Sequence, residues 1–164
     1  MIICAGSIFT DYISRINKFP KKPIKVLSRG IDKRLGGSAA VSAFTAKILG
    51  SESKFIGKFG DDDSSVFLKN ELKKFSINTS KSIFIKKCQS SQSFVIEDTK
   101  GERLLAAYND PKLLNYKKIP NLDFRKKDIY AVDMRWIRIA TEIANKTKKS
   151  NIKILINISV LPTD

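Results

Sequence analysis

At 164 residues, with 42% apolar and 29% charged side chains, the chain can bury the core of one domain but is short for two. It has no histidine, which excludes Ser-His-Asp and Cys-His catalysis and His-ligated zinc, and its two cysteines, Cys4 and Cys88, lack CxxC spacing and suit reduced thiols. The net charge of +15 is carried mainly by lysine, in doublets spread along the chain, which reads as a solvated surface; nucleic-acid readers lean on arginine forks and aromatic stacking.

No apolar run reaches the ~20 residues that span a bilayer. Met1 leads straight into IICAGSIF without a basic n-region, so no cleaved leader is expected and the cytoplasm is the expected compartment. Ile2 to Ala5 is a short apolar run ending at Gly6, the pattern of a buried strand. From Tyr12 to Leu35 apolar residues alternate loosely around Pro20 and Pro23, as in extended strands flanking a turn. Gly36-Gly37 opens the small-residue stretch Ser38 to Leu49, closed by Gly50, which predicts a helix packed closely on a sheet.

Lys54 to Gly57 predicts a second strand. Asp61-Asp62-Asp63-Ser64 then supplies acids and a cap for a helix through Phe75, with Leu68, Leu72 and Phe75 on one face. Ser82 to Tyr108 turns to β pattern, with a hairpin at Asp98-Thr99-Lys100-Gly101. Asp128 to Val132 predicts another buried strand. Arg135 to Lys149 predicts an amphipathic helix with Trp136, Ile139, Ala140, Ile143 and Thr147 inward, and Ile152 to Ile158 a last strand. Strands alternating with helices imply an α/β fold with a parallel sheet. The two β-rich inserts, about 12–35 and 82–108, predict a small second sheet over one end of the first, all within one domain.

Ligands of such sheets gather at the carboxyl ends of the strands. Four loops qualify: Gly6 to Asp11, which delivers a carboxylate; Gly36-Gly37, where backbone can approach a ligand before a helix; Gly57 to Asp62; and Asp133 with Arg135. Each has a structural alternative. Asp11 can form a turn, the diglycine can be only a tight turn, and Asp61 to Asp63 can cap a helix.

The blocks G-S-I-F-T-D (Gly6 to Asp11), G-G-S-A-A (Gly36 to Ala40), F-I-G-K-F-G-D-D (Phe55 to Asp62) and F-L-K-N-E-L-K-K-F-S-I-N-T-S (Phe67 to Ser80), with G-E-R (Gly101 to Arg103), resemble the PfkB or ribokinase family of carbohydrate kinases in order and spacing. A-Y-N-D (Ala107 to Asp110) and D-M-R-W (Asp133 to Trp136) look most similar to its sulfofructose kinase and ketohexokinase branch. The resemblance implies a ribokinase-like parallel sheet flanked by helices with a β lid from the two inserts. It also implies transfer of the ATP γ-phosphoryl to a sugar hydroxyl, with Mg2+. It assigns Asp11 to the sugar hydroxyls and the backbone of Gly36, Gly37 and Ser38 to the pocket wall. Phe94, Arg103 and Tyr108 fall to lid closure, and Arg135 to the substrate end.

Two departures stand out. Val41 occupies the position where the family usually has a sugar-binding asparagine, and neither G-A-G-D, which carries the family's base and anion hole, nor G-x-x-x-x-G-K-[ST] occurs in these residues. The resemblance is therefore to the N-terminal half of such a kinase. From it follow no catalytic residue in this chain, weak ATP binding at most, inactivity alone, and uncovered apolar faces that favour association. The partners implied are a sugar and either a second copy through the lid or a polypeptide supplying the other half. The alternatives are a non-catalytic sugar-binding remnant or split-gene subunit and, further off, a basic nucleic-acid-binding protein.

Overall fold

Four of the short apolar runs become the strands of one parallel sheet in the computed structural model, which describes residues 1–158. In chain order the elements are β1 (Ile2–Ala5), β2 (Phe9–Arg15), β3 (Gly30–Gly36), α1 (Ser38–Ile48), β4 (Ser53–Ile56), β5 (Lys58–Phe59) and α2 (Asp63–Lys74). Then follow β6 (Ile83–Phe84), β7 (Gln92–Glu97), β8 (Arg103–Tyr108), α3 (Pro111–Asn115), β9 (Ile129–Asp133), α4 (Ile137–Ser150) and β10 (Ile154–Asn157). The main sheet has the order β10-β9-β1-β4, every neighbouring pair parallel.

Parallel strands need both faces covered, because their crossover connections run over the faces. On one face Cys4 and Phe55 pack with the alanines of α1 and with Leu68 and Leu72 of α2. Small residues at Ala39, Ala40 and Ala43 let α1 lie close to the strands, as the sequence predicts. On the other face Ile139, Ala140 and Ile143 of α4 meet Ile3, Ala5, Tyr130 and Val132. Each fully buried Leu, Ile or Phe here contributes about 1.5–3 kcal/mol of transfer free energy. The end of α4 turns at Asn151, in the left-handed region at φ 51°, and Ile152 N–H then donates to Thr147 O.

The second sheet has the order β3-β2-β7-β8. Its centre is the parallel pair β2–β7, which joins the two inserts, while β2–β3 and β7–β8 are antiparallel hairpin pairs. The β7–β8 turn is set by Asp98, whose Oδ1 accepts from the backbone of Lys100 at 2.8 Å and Glu102 at 3.1 Å, with Gly101 at φ 84°. Residues Ile83 and Phe84 do not join this sheet. They pair with β5 in a separate two-stranded ribbon, so the second insert enters the sheet only at Gln92.

Three local differences from the sequence reading have clear causes. The last helix begins at Ile137, not Arg135, because Asp133 accepts from Arg135 N–H and forces a 3-10 turn over Met134–Trp136. Of the three acids after Gly60, Asp62 caps α2 by accepting from Ser65 N–H at 3.0 Å, whereas Asp61 turns away to hold the backbone of Lys87 and Cys88. The short helix α3 was not anticipated, although Asp110-Pro111 is a helix start: Asp110 accepts from Lys112 N–H and proline fills the first turn.

Candidate active site

Two loops and one strand meet where β1 ends. The carboxylate of Asp133, fully buried, accepts from Ser7 N–H at 2.9 Å, Ser7 Oγ at 2.6 Å, Ser38 Oγ at 3.0 Å, Ala39 N–H at 3.1 Å and Arg135 N–H at 3.0 Å. One side chain at the end of β9 thus ties the β1 loop to the start of α1. Ala40 N–H completes the seam by donating to Ser7 O at 3.2 Å. The N-terminal amides of α1 at Ala39 and Ala40 and the Ser38 hydroxyl are therefore committed to internal partners. What the diglycine offers there is space, since Gly37 O accepts from Val41 N–H at 2.9 Å and Gly36 pairs with Phe9 of β2.

Of the two glycines, Gly37 is the one whose backbone requires glycine. Gly37 lies at φ 90°, and a Cβ on it would come within 2.6 Å of Ser7 O. A Cβ on Gly36 would collide with the carboxylate of Asp11, which lies over the glycine's Cα. Gly37→Ala is expected to cost about 1–3 kcal/mol in backbone strain. Thermal melting checks this: a fall of roughly 2–12 °C is expected, and an unchanged melting temperature would show that the seam does not hold Gly37 in place.

Asp11 sits in the middle of β2, opposite Arg34 on β3 and Ser93 on β7. It is strand, not turn, on both sides, so its carboxylate serves no turn or helix cap. Burial pushes its carboxyl above the ordinary aspartate range, and the Ser93 hydroxyl alongside works the other way.

Strand alternation separates the remaining sequence candidates. Asp11, Gly36, Ser93 and Arg103 occupy one face of the second sheet, whereas Phe94 and Tyr108 occupy the other, since Phe94 pairs with Tyr12 and Tyr108 with Gln92. Phe94 stacks on Tyr12 at 5.3 Å, and Lys33 lies 5.6 Å over the same Tyr12 ring. Arg103 shares Asp11's face, but it pairs with Glu97 at 3.1 Å, four residues further along, roughly 13 Å away. Val41, on α1, is half exposed and offers no polar atom.

Beside the Asp133 seam lies a cavity of about 310 Å³, lined by Ser7, Phe9, Lys58, Asn109, Arg135 and Trp136 among others. Lys58 lies in the candidate loop Gly57 to Asp62, where the sequence does not single it out. It is 9% exposed, its Nζ donates to Leu113 O and, at 3.4 Å, to Leu114 O, and it lies 5.3 Å from the Trp136 ring centre. Burial lowers its pKa from the ordinary lysine value, opposed by the nearby Cys88. Its position inside G-K-F-G, just after a buried strand, was the available signal. Cys4, by contrast, lies within the core, its thiol pushed up to about 12 by burial, and is chemically inert.

A parallel α/β sheet with a small second sheet joined to it, and a carboxylate–diglycine corner where the two meet, define a ribokinase-like fold. The chain belongs to the pfkB family carbohydrate kinases, whose family model matches residues 1–157. Fructokinase-2 of Zea mays is 37% identical over 111 residues, which cover 68% of this chain and 32% of that protein. Among solved structures, Arabidopsis thaliana ribokinase, complexed with ribose and ATP, superposes with a TM-score of 0.79 at 16% identity, covering 99% of this chain and 54% of that one. Cryptococcus neoformans ribokinase in complex with ADP gives 0.78 at 19%, with 99% and 52% coverage. The chain thus spans about half of each of these solved ribokinase chains.

Proposed function

We propose that this chain is the sugar-binding part of a cytoplasmic carbohydrate kinase that transfers the ATP γ-phosphoryl to a sugar hydroxyl. The observation that carries the reading is the half-buried Asp11 carboxylate lying over Gly36, the residue before the left-handed Gly37. A carboxylate accepts two hydroxyl hydrogen bonds, and bare glycine backbone leaves room for a sugar face next to it. The second sheet then acts as a lid through its Asp11 face. Phe94 and Tyr108 project from the opposite face of that sheet, so in this reading they act in the lid and not on the sugar. Ser38 supports the pocket through Asp133. Val41 leaves one sugar hydroxyl without the partner an asparagine would give it.

Phosphoryl transfer needs positioning of both reactants and stabilisation of developing charge. Among the described residues no three His, Cys, Asp or Glu side chains converge to hold a metal ion, and the sequence contains no G-A-G-D. ATP and Mg2+, expected of the complete family enzyme, are assigned to no residue here. Among the described residues no helix is long and apolar enough to cross a membrane. The exposed apolar side chains Leu155, Ile156 and Ile158 at and beyond β10 support pairing with a polypeptide that continues the sheet.

The purified 164-residue chain is expected to show no ATP-dependent phosphorylation of D-fructose or D-ribose. Loss of oxyanion stabilisation alone costs on the order of 100- to 1000-fold. A coupled ADP-release assay checks this. Turnover that disappears in Asp11→Ala would overturn the assignment of catalysis to residues outside this chain.

A further inference from the structure

Just before β7, four consecutive backbone amides each donate to a carboxylate. Lys87 N–H donates to Asp61 Oδ2 at 2.7 Å and Cys88 N–H to Asp61 Oδ1 at 3.1 Å. Gln89 N–H donates to Asp110 Oδ2 at 2.9 Å and Ser90 N–H to Asp62 Oδ2 at 3.0 Å. Successive amides in such a turn make an anion-binding nest, and here the chain's own aspartates fill it. The turn is held from several sides. Lys87 stands at φ 53°, a conformation that costs a non-glycine residue free energy and persists where its surroundings enforce it. Ser90 Oγ donates to Asp62 Oδ1 at 2.7 Å and accepts from Gly60 N–H at 2.9 Å. A Cβ on Gly60 would collide with Cys88 O, so the two loops meet backbone to backbone. Asp62 and Asp110 divide their oxygens alike: Oδ1 caps a helix, α2 through Ser65 N–H and α3 through Lys112 N–H, while Oδ2 reaches the nest.

The nest stands at the foot of the β7–β8 hairpin. Ser91, the next residue, donates its hydroxyl to Asn109 Oδ1 at 2.7 Å, and its carbonyl accepts from Thr10 N–H at 3.0 Å. β7 then starts at Gln92, and Ser93 falls opposite Asp11. Because β2 and β7 run parallel, no tight turn joins them and sets their register. A slip of one residue would turn Ser93 to the other face and bring Gln92 or Phe94 opposite Asp11. We propose that Asp61, Asp62 and Asp110 are positioning residues for the sugar site: by binding the four amides they fix the register of β7 and hold Ser93 beside Asp11. They act through β7 and not on the sugar. This inference rests on the sugar-kinase reading of Asp11.

Asp62→Ser and Asp110→Ser test it, because serine still caps α2 and α3 but is too short to reach the nest as well. Calorimetry on the full chain with D-fructose and D-ribose gives the affinity, and hydrogen exchange compares β7 with β1 and β4. Each variant is expected to bind the sugar that the parent binds about 3- to 30-fold more weakly, the range for residues that never touch the ligand. Exchange should quicken in β7 and stay unchanged in β1 and β4. Asp98→Ala, which loosens the far turn of the same hairpin, should leave the affinity as it is. If one serine variant fails to fold, the other decides. Unchanged affinity, or unchanged exchange in β7, would overturn the proposal while leaving the sugar site standing. Exchange that quickens equally in β1 and β4 would overturn it as a general loss of stability, and an equal fall in affinity for Asp98→Ala as a general loosening of the hairpin. A parent that binds neither sugar would overturn this proposal and the sugar-kinase reading together.

Discussion

Replacing Asp133 by alanine is expected to lower the melting temperature by roughly 6–20 °C. The reason is the number of donors that one carboxylate satisfies. Ser7, Ala39 and Arg135 present backbone N–H groups to it, and Ser7 and Ser38 present hydroxyls. Each buried donor left without a partner costs about 1–3 kcal/mol, and water entering the gap recovers part of the sum. A net loss of about 3–5 kcal/mol is the outcome, and at this chain length each kcal/mol shifts melting by roughly 2–4 °C. Asp133→Asn should fall between, since one amide oxygen still accepts while its NH2 faces other donors. Circular dichroism melting of the three proteins checks this. A fall below about 2 °C for the alanine variant would show that the seam between β1, β9 and α1 is held by packing alone.

The second large effect concerns binding, and its sign on stability is opposite. Asp11→Asn is expected to weaken sugar affinity by about 10- to 100-fold, the cost of losing a charged acceptor to hydroxyls. Stability should not fall with it. The carboxyl of Asp11 is raised in the folded chain by burial, so its contribution is fully present below the unfolded value and is lost as pH rises through the folded one. At pH 7 the ionised group is therefore a burden on the fold, which asparagine removes. The variant should melt at the same temperature as the parent or higher at pH 7, with the gap closing as pH drops towards the ordinary carboxylate range. A site that is costly when empty and productive when filled is the usual trade between activity and stability. Calorimetric titration with D-fructose and D-ribose, beside melting curves at pH 7 and pH 5, separates the two effects. Unchanged affinity would remove Asp11 from the site, and a lower melting temperature at pH 7 would make it structural.

The main sheet was legible because its strands are short apolar runs and its helices carry their own punctuation. Leu68 and Leu72, or Ile139 and Ile143, fall four apart and face the core as their spacing requires. The Asp98 hairpin was legible for the same reason: its turn chemistry is local. What depends on contacts between distant segments was not. Asp133 reads as one acid after a strand, and nothing local says that Ser7 and Ser38, more than 90 residues earlier, will converge on it. The opposed faces of Asp11 and Phe94 follow from the β2–β7 register, which the sequence leaves open between inserts 80 residues apart. Lys58 was hidden by its type, since lysine is almost always solvated and this chain is rich in it. The expected strand through Ile158 ends at Asn157, and Ile152, buried, precedes it in the turn after α4.

The central claim is that a sugar lies against the diglycine under Asp11. Glycine-selective 15N labelling gives a spectrum of eight backbone amides, and Gly37 is the only glycine that follows another, so 13C-carbonyl glycine labelling identifies it. Titration with D-fructose or D-ribose should shift the Gly36 and Gly37 signals saturably, leave Gly50 and Gly101 in place, and produce no such shift in Asp11→Asn. Saturable shifts that spare Gly36 and Gly37, or that persist unchanged in Asp11→Asn, would contradict the account.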